Sequence, residues 1–311
     1  MSIALVFPGQ GSQAVGMGKA LAESFPVART VFDRVDAALG EPLSRLMFAG
    51  PEAELTRTAN AQPALMATSL AVVAVLQAEA SFAVTDAAFV AGHSLGEYSA
   101  LAAAGAFEIE TAAQLLRLRG EAMQRAVPAG EGAMAALLGV EEEQARAIAA
   151  EAAEGEVCDI ANDNGGGQVV VSGHAAAVER AIALAKARGV KRAVLLQVSA
   201  PFHCGLMAPA AVAMRDALAA ADIKAPVVPV VANRLAAPVT TPDAIRQALV
   251  DQVCGTVRWR ESMRFMADAG VTEFVEVGSG KVLAGLVKRI APEAQARSIG
   301  TPDDIAAFRN R

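Results

Sequence analysis

The chain has 311 residues, 54% of them apolar but few aromatic, and a net charge of −6. That length supplies one large domain or two modest ones with a sizeable core, and the acidic balance excludes general binding to nucleic acid or an anionic membrane, which needs a basic face to displace counterions. The three cysteines, Cys158, Cys204 and Cys254, are odd in number, far apart in sequence and without a C-x-x-C pair, so the expectation is a reduced, cytoplasmic protein with no disulfide or zinc framework.

Met1-Ser2-Ile3 lacks a charged leader, and no signal peptide is expected. A strand is predicted over 3–7, then a glycine-broken loop, then helix over 15–39. Residues 62–79 read as a buried helix whose apolar run, 64–76, is too short to span a bilayer. A short apolar strand at 87–91 leads into Gly92-His93-Ser94-Leu95-Gly96, and helices follow over 97–104 and 111–126. The next segments read as strand 132–139, helix 141–154, strands 157–162 and 168–172, helix 175–188 and strand 192–199. That β-α-β-β-α-β order is the split, ferredoxin-like motif. It predicts a small domain over 129–198 inserted into a larger α/β domain made of 1–128 and 199–311. In the larger domain, strands are predicted at 227–232 and 273–277, with helices at 207–221, 243–253, 260–269 and 281–290.

Gly92-His93-Ser94-Leu95-Gly96 is a G-x-S-x-G pattern between a strand and a helix, the setting of a nucleophile elbow. Ser94 is the candidate nucleophile, and a serine needs a base. Of the three histidines, His93 adjoins Ser94 and is expected to brace the turn. His174 follows a strand and is expected to cap a helix. His203, in "SAPFHCGLM", is the base by elimination. Cys204 has no base of its own.

The opening loop, Gly9-Gln10-Gly11-Ser12-Gln13-Ala14, fits a dinucleotide fingerprint, but no second strand ending in an acid is expected about twenty residues on. It is not a phosphate loop either, since Gly18-Lys19-Ala20 lacks the Ser/Thr after the lysine and the upstream glycine spacing. Its amide at Gln10, with that of Leu95 just after the nucleophile, suits an oxyanion hole, where each donor contributes about 3 kcal/mol. Arg119 sits within an apolar helical stripe of Ala112, Leu115, Leu116, Ala122, Met123 and Ala126, whereas Arg117 faces polar neighbours and is expected to be solvated. A guanidinium in such a stripe wants a carboxylate, from an internal acid or from a substrate.

The motifs "FPGQGSQ", "QPAL", "GHSLGEYSAL", "RG-x-x-MQ", "GAMAALLG", "GQVVVSG", "APFHCGLM", "Q-x-x-x-x-V-x-W" and "EVG-x-GKVL", in this order over nearly the whole chain, resemble the malonyl-CoA:acyl carrier protein transacylases. The resemblance implies an α/β-hydrolase-like large domain with a parallel sheet core and a ferredoxin-like insertion. It implies malonyl transfer from malonyl-CoA to an acyl carrier protein in fatty acid synthesis, through an ester on Ser94 with His203 as base. Gln10 and Leu95 would form the oxyanion hole, and Arg119 would hold the malonyl carboxylate. The backbone carbonyl of Gln252 would orient His203, a role that spacing alone does not assign. No cofactor or metal is implied beyond the coenzyme A and phosphopantetheine thioesters. The sequence departs from the family pattern at Gly255-Thr256, where Asn-Pro is common, and at Ser279, where Pro is usual. "APFH" also resembles the x-x-F-H of malonyl-selective acyltransferase domains of polyketide synthases, so the same chemistry serving a polyketide synthase or malonate decarboxylase carrier protein is an alternative, and a serine hydrolase or thioesterase on the same scaffold is another. For a carrier-docking face, Lys186, Arg188, Lys191 and Arg192, or Lys288 and Arg289, are the candidates beside a plainly solvated role.

Overall fold

The computed structural model describes residues 2–310, and among them are ten strands. β1 (Ile3–Phe7) and β2 (Phe89–Gly92) start a larger sheet. β3 (Gly132–Leu138), β4 (Cys158–Asp163), β5 (Gln168–His174) and β6 (Arg192–Leu195) form a smaller one. β7 (Val230–Ala232), β8 (Ala237–Val239), β9 (Glu273–Val277) and β10 (Gln295–Ile299) return to the larger. The larger sheet runs β10-β9-β1-β2-β7-β8, parallel throughout except for β8, which pairs antiparallel with β7.

Period-two geometry divides the strand side chains between two cores. Ile3, Leu5 and Phe7 of β1 pack with the helices Pro26–Leu39, Thr58–Glu79 and Ile109–Arg125. Ala4 and Val6 point the other way, onto Trp259, Met263 and Leu286. Helices thus cover both faces, which is why β1 is apolar along its whole length rather than alternating.

The smaller sheet is antiparallel, in the order β4-β5-β3-β6. One face, with Ala135, Leu137, Val169 and Val171, buries against the helices Glu142–Ala153 and Ala175–Ala187 in a separate core. The opposite face, with Met134, Ala136 and Val170, joins the main core. The predicted β-α-β-β-α-β connectivity is therefore observed over 132–195.

Several boundaries differ from expectation. The helix predicted over 15–39 is two helices, Lys19–Ser24 and Pro26–Leu39, because a residue before proline is pushed out of the helical region and Phe25 is extended, with φ −131° and ψ 116°. The buried helix starts at Thr58, four residues early, and carries Pro63 inside it. Its 22 residues are long and apolar enough to cross a membrane, yet most of them lie inside the protein. β6 ends at Leu195, not 199. β7 begins only at Val230, since Pro226 and Pro229 lack the N–H a ladder needs. β8, β10 and the final helix Pro302–Arg309 were not predicted. β10 reads Gln-Ala-Arg-Ser-Ile and gives no apolar signal.

Candidate active site

β1 and β2 are parallel neighbours, and both end at the same edge of the larger sheet, where the opening loop meets the turn after β2. The turn is His93-Ser94-Leu95, followed by the helix Gly96–Ala103. Both flanking glycines are needed for space. A Cβ on Gly92 would lie 1.8 Å from the Gly96 carbonyl oxygen, and one on Gly96 would lie 2.3 Å from that of Phe7. Ser94 itself has φ +55°, a left-handed conformation that a non-glycine residue holds only when its surroundings enforce it. Asn233, just after β7, supplies that enforcement. Its Oδ1 accepts the Ser94 N–H at 2.7 Å and its Nδ2 donates to the Gly92 carbonyl at 2.7 Å.

His203 meets Ser94 from a distant loop. The hydroxyl Oγ and the imidazole Nε2 are 2.7 Å apart, and Nδ1 lies 2.9 Å from the Gln252 carbonyl oxygen. That carbonyl can only accept, so Nδ1 carries the proton and Nε2 is free to act as a base. His203 is also left-handed, with φ +58°, and only 3% exposed. Burial, and then the nearby Arg119 charge, push its pKa down to about 3.

Arg119, on the helix Ile109–Arg125, is 1% exposed. It donates to Gln62 Oε1 at 2.8 Å, Gln252 Oε1 at 2.8 Å and Ser94 Oγ at 3.2 Å, and its Nε has no partner. All three acceptors are neutral. Among the described residues no carboxylate makes a direct hydrogen bond to it, and the nearest acid in its hydrogen-bond network is one side chain further on. The Gln252 carboxamide continues through its Nε2 to Glu97 Oε2 at 2.8 Å and to the Ser94 carbonyl at 3.0 Å. Glu97 Oε2 also accepts the Asn233 backbone N–H at 2.9 Å.

A cavity of about 320 Å³ opens onto Ser94 and His203, walled by Gln10, Met134, Leu196 and Phe202. An adjoining space of about 250 Å³ shares Gln10, Gly11, His93, Asn162 and Leu196 with it. The cleft therefore lies between the loops of the larger sheet and the inward face of the smaller one. Gln10 borders it, and Leu95 is buried at the start of the helix after Ser94. Neither backbone N–H meets a protein acceptor among the described residues. A separate cavity of about 360 Å³, between Gly16–Gly18 and the loop 278–281, holds none of these side chains.

The remaining candidates settle elsewhere. His93 bonds Asn164 Oδ1 at 2.8 Å and packs on Trp259, a brace as expected. His174 stands at the N-cap of the helix Ala175–Ala187 but does not cap it with its side chain. Its Nδ1 instead accepts the Val157 N–H at 2.9 Å. Cys204 is fully buried, bonded to the Pro201 carbonyl, and burial pushes its thiol up to about 11. Arg117 is not simply solvated: it pairs with Glu41 and Asn60. After β1 no strand occurs until β2, so the opening loop lacks the second strand of a dinucleotide site. Lys186, Arg188, Lys191, Arg192, Lys288 and Arg289 are exposed, Arg188 pairing with Glu151. Reasoning from sequence missed Gln62, Glu97 and Asn233. Each is a polar residue in an apolar stretch, the same signal that Arg119 gave.

An acyl transferase domain model matches residues 4–302. The malonyl CoA-acyl carrier protein transacylase of Bacillus subtilis (strain 168) is 47% identical over 97% of this chain and 95% of that protein. The acyl-carrier-protein-S-malonyltransferase of Bartonella henselae superposes with a TM-score of 0.96 at 54% identity, covering 99% of this chain and 98% of that one. A malonyl-transacylase solved in complex with its type II PKS acyl-carrier protein gives 0.96 at 42% identity, with both chains covered completely. With these likenesses running from end to end, the chain belongs to the acyl transferase family, among the malonyl CoA-acyl carrier protein transacylases.

Proposed function

We propose that the chain moves a malonyl group from malonyl-CoA to the phosphopantetheine thiol of an acyl carrier protein in fatty acid biosynthesis, by a ping-pong mechanism. His203 Nε2 takes the Ser94 proton as Oγ attacks the thioester carbonyl. The Gln10 and Leu95 N–H groups, which no protein acceptor occupies, receive the developing oxyanion. Coenzyme A departs as a thiol with the proton from His203, leaving a malonyl-serine ester. The carrier thiol then gives its proton to His203 and attacks the ester, and Ser94 leaves with that proton restored.

Arg119 selects the acyl group. A malonyl carboxylate matches a buried cation whose direct hydrogen-bond acceptors are all neutral, whereas an acetyl group offers it no charge. Gln252 orients His203 through its main chain. No cofactor or metal is required, because every proton has a residue to carry it. We read 1–128 and 199–311 as an α/β-hydrolase-like catalytic domain and 129–198 as a ferredoxin-like insertion; the strand order and separate core of the smaller sheet support this. We also read the enzyme as cytoplasmic, in keeping with its three free cysteines, and its net charge of −6 argues against a nucleic-acid or anionic-membrane partner. The similarity to a malonyl-transacylase that serves a type II PKS carrier makes a polyketide carrier the second reading for the acceptor, with unchanged chemistry.

The observation that carries the proposal is the 2.7 Å contact of Ser94 Oγ with a His203 ring whose other nitrogen is held by a carbonyl. Mass spectrometry after mixing with malonyl-CoA tests it. A malonyl adduct is expected on Ser94, absent in Ser94→Ala and discharged by a carrier thiol. An adduct on Cys204 would sink it.

A further inference from the structure

Buried cations are costly without a counter-charge, and Arg119 touches none directly. The acid joined to it through shared hydrogen bonds is Glu97, on the helix after Ser94 and also 1% exposed. Between them stands one carboxamide. Gln252 accepts from Arg119 at its oxygen and donates to Glu97 from its nitrogen, each at 2.8 Å. The amide dipole therefore points its negative end at the cation and its positive end at the anion. Hydrogen bonds in such a chain polarise one another.

We infer that Glu97 is the counter-charge of Arg119, held one carboxamide away, and that as a positioning residue it sets how strongly the site binds a carboxylate-bearing acyl group. The inference rests on the reading that Arg119 receives the malonyl carboxylate. A direct Arg–Glu pair would neutralise the guanidinium and occupy its donors. The spaced pair keeps the cation compensated while leaving Nε without a partner. The same negative charge opposes an incoming carboxylate, so Glu97 weakens malonyl binding below the limit set by Arg119 alone and assists product release.

Protonation provides an internal switch for this effect. Burial raises the Glu97 pKa to about 7, against the lowering by Asn233, Gln252 and Arg119. The charged or titratable groups that face it are Arg119, neighbouring Tyr98, whose hydroxyl burial pushes further up and out of the working range, and His203, neutral above about pH 3 and linked through Gln252. Only Glu97 among them titrates near neutrality.

The test is Glu97→Gln in the full enzyme, with KM and kcat measured for malonyl-CoA and acetyl-CoA between pH 6 and 8.5. An amide oxygen at residue 97 can still accept from Asn233 and Gln252, so the network survives while the charge is lost. The KM for malonyl-CoA should fall at least about threefold at pH 8, as expected for removing one like charge at an effective dielectric near 20. The KM for acetyl-CoA should move much less. In the wild type, the malonyl KM should fall as pH drops through about 7, and E97Q should abolish that slope. An unchanged malonyl KM, or equal shifts for both substrates, overturns the inference. If E97Q does not fold, the wild-type slope decides: its presence for malonyl-CoA alone supports the inference, and its absence overturns it. Arg119→Ala separates the two levels. If it erases the preference for malonyl over acetyl while E97Q changes nothing, the carboxylate reading stands and the role of Glu97 falls. If it leaves the preference intact, both fall.

Discussion

Gln252 and His203 are joined main chain to ring: the Gln252 carbonyl oxygen accepts from His203 Nδ1 at 2.9 Å. A carbonyl there fixes the tautomer as a carboxylate would, but adds no negative charge to stabilise an imidazolium. The side chain of Gln252 remains free for Arg119 and Glu97. One residue thus positions the base and the guanidinium together, from the last turn of the helix Pro242–Cys254.

His203→Ala should slow both half-reactions by about 10²–10⁴-fold, the usual worth of a positioned base. Rates of malonyl-serine formation and of its discharge to a carrier thiol check this separately. Near-normal rates in either step would return the role to another group.

Gly96→Ala should lower stability by about 3 kcal/mol or more, the upper range for overpacking, because the new methyl meets the main chain of β1 at 2.3 Å rather than a side chain that can turn away. A thermal melt reads the loss. Adduct formation at Ser94 should fall with it, since the same shift moves the turn.

At saturating malonyl-CoA, the rate of Ser94 acylation should not decline as pH drops from 8 to 5. Burial is the larger cause of the low His203 pKa of about 3 and persists with substrate bound, so the base stays unprotonated through that range. A decline centred near the ordinary histidine value of 6.5 would show that the ring titrates normally.

Stability should respond to pH through two opposed groups. Glu97, raised to about 7, keeps a proton in the native state that the unfolded chain releases above about 4.5. Its contribution is present below that value and is lost as pH rises to 7. His203, lowered to about 3, lacks a proton that the unfolded chain binds below 6.5, so its contribution is lost as pH falls from 6.5 towards 3. Glu97→Gln removes the first and leaves the second. Chemical denaturation at pH 5 and pH 7 should show E97Q gaining stability relative to wild type by on the order of 2 kcal/mol over that interval. Parallel behaviour of the two proteins would contradict it.

The alternation of strands and helices was legible because apolar periodicity reports burial, and burial decides both sheets. Ser94 and His203 were legible as a glycine-flanked turn and as the one histidine left after its rivals were assigned. Arg119 stood out as a charge inside an apolar stripe. Gln252 was not legible from its pattern: its contact with the base is made by a backbone carbonyl, which every residue has, and only the family resemblance pointed to it. Glu97 and Asn233 are local in no sense that spacing can detect, since they are 136 positions apart and meet only when β2 and β7 pair. β10 escaped because an edge strand with one solvated margin carries polar residues.

Both reacting side chains hang from left-handed backbones, at Ser94 and at His203. Each such conformation in a non-glycine residue raises the native free energy by about 1–3 kcal/mol. A glycine at either position would relax the main chain and remove the chemistry together. Thermal robustness and turnover therefore compete at the same two peptide units, and selection for a more heat-tolerant enzyme has to find its gains elsewhere in the chain.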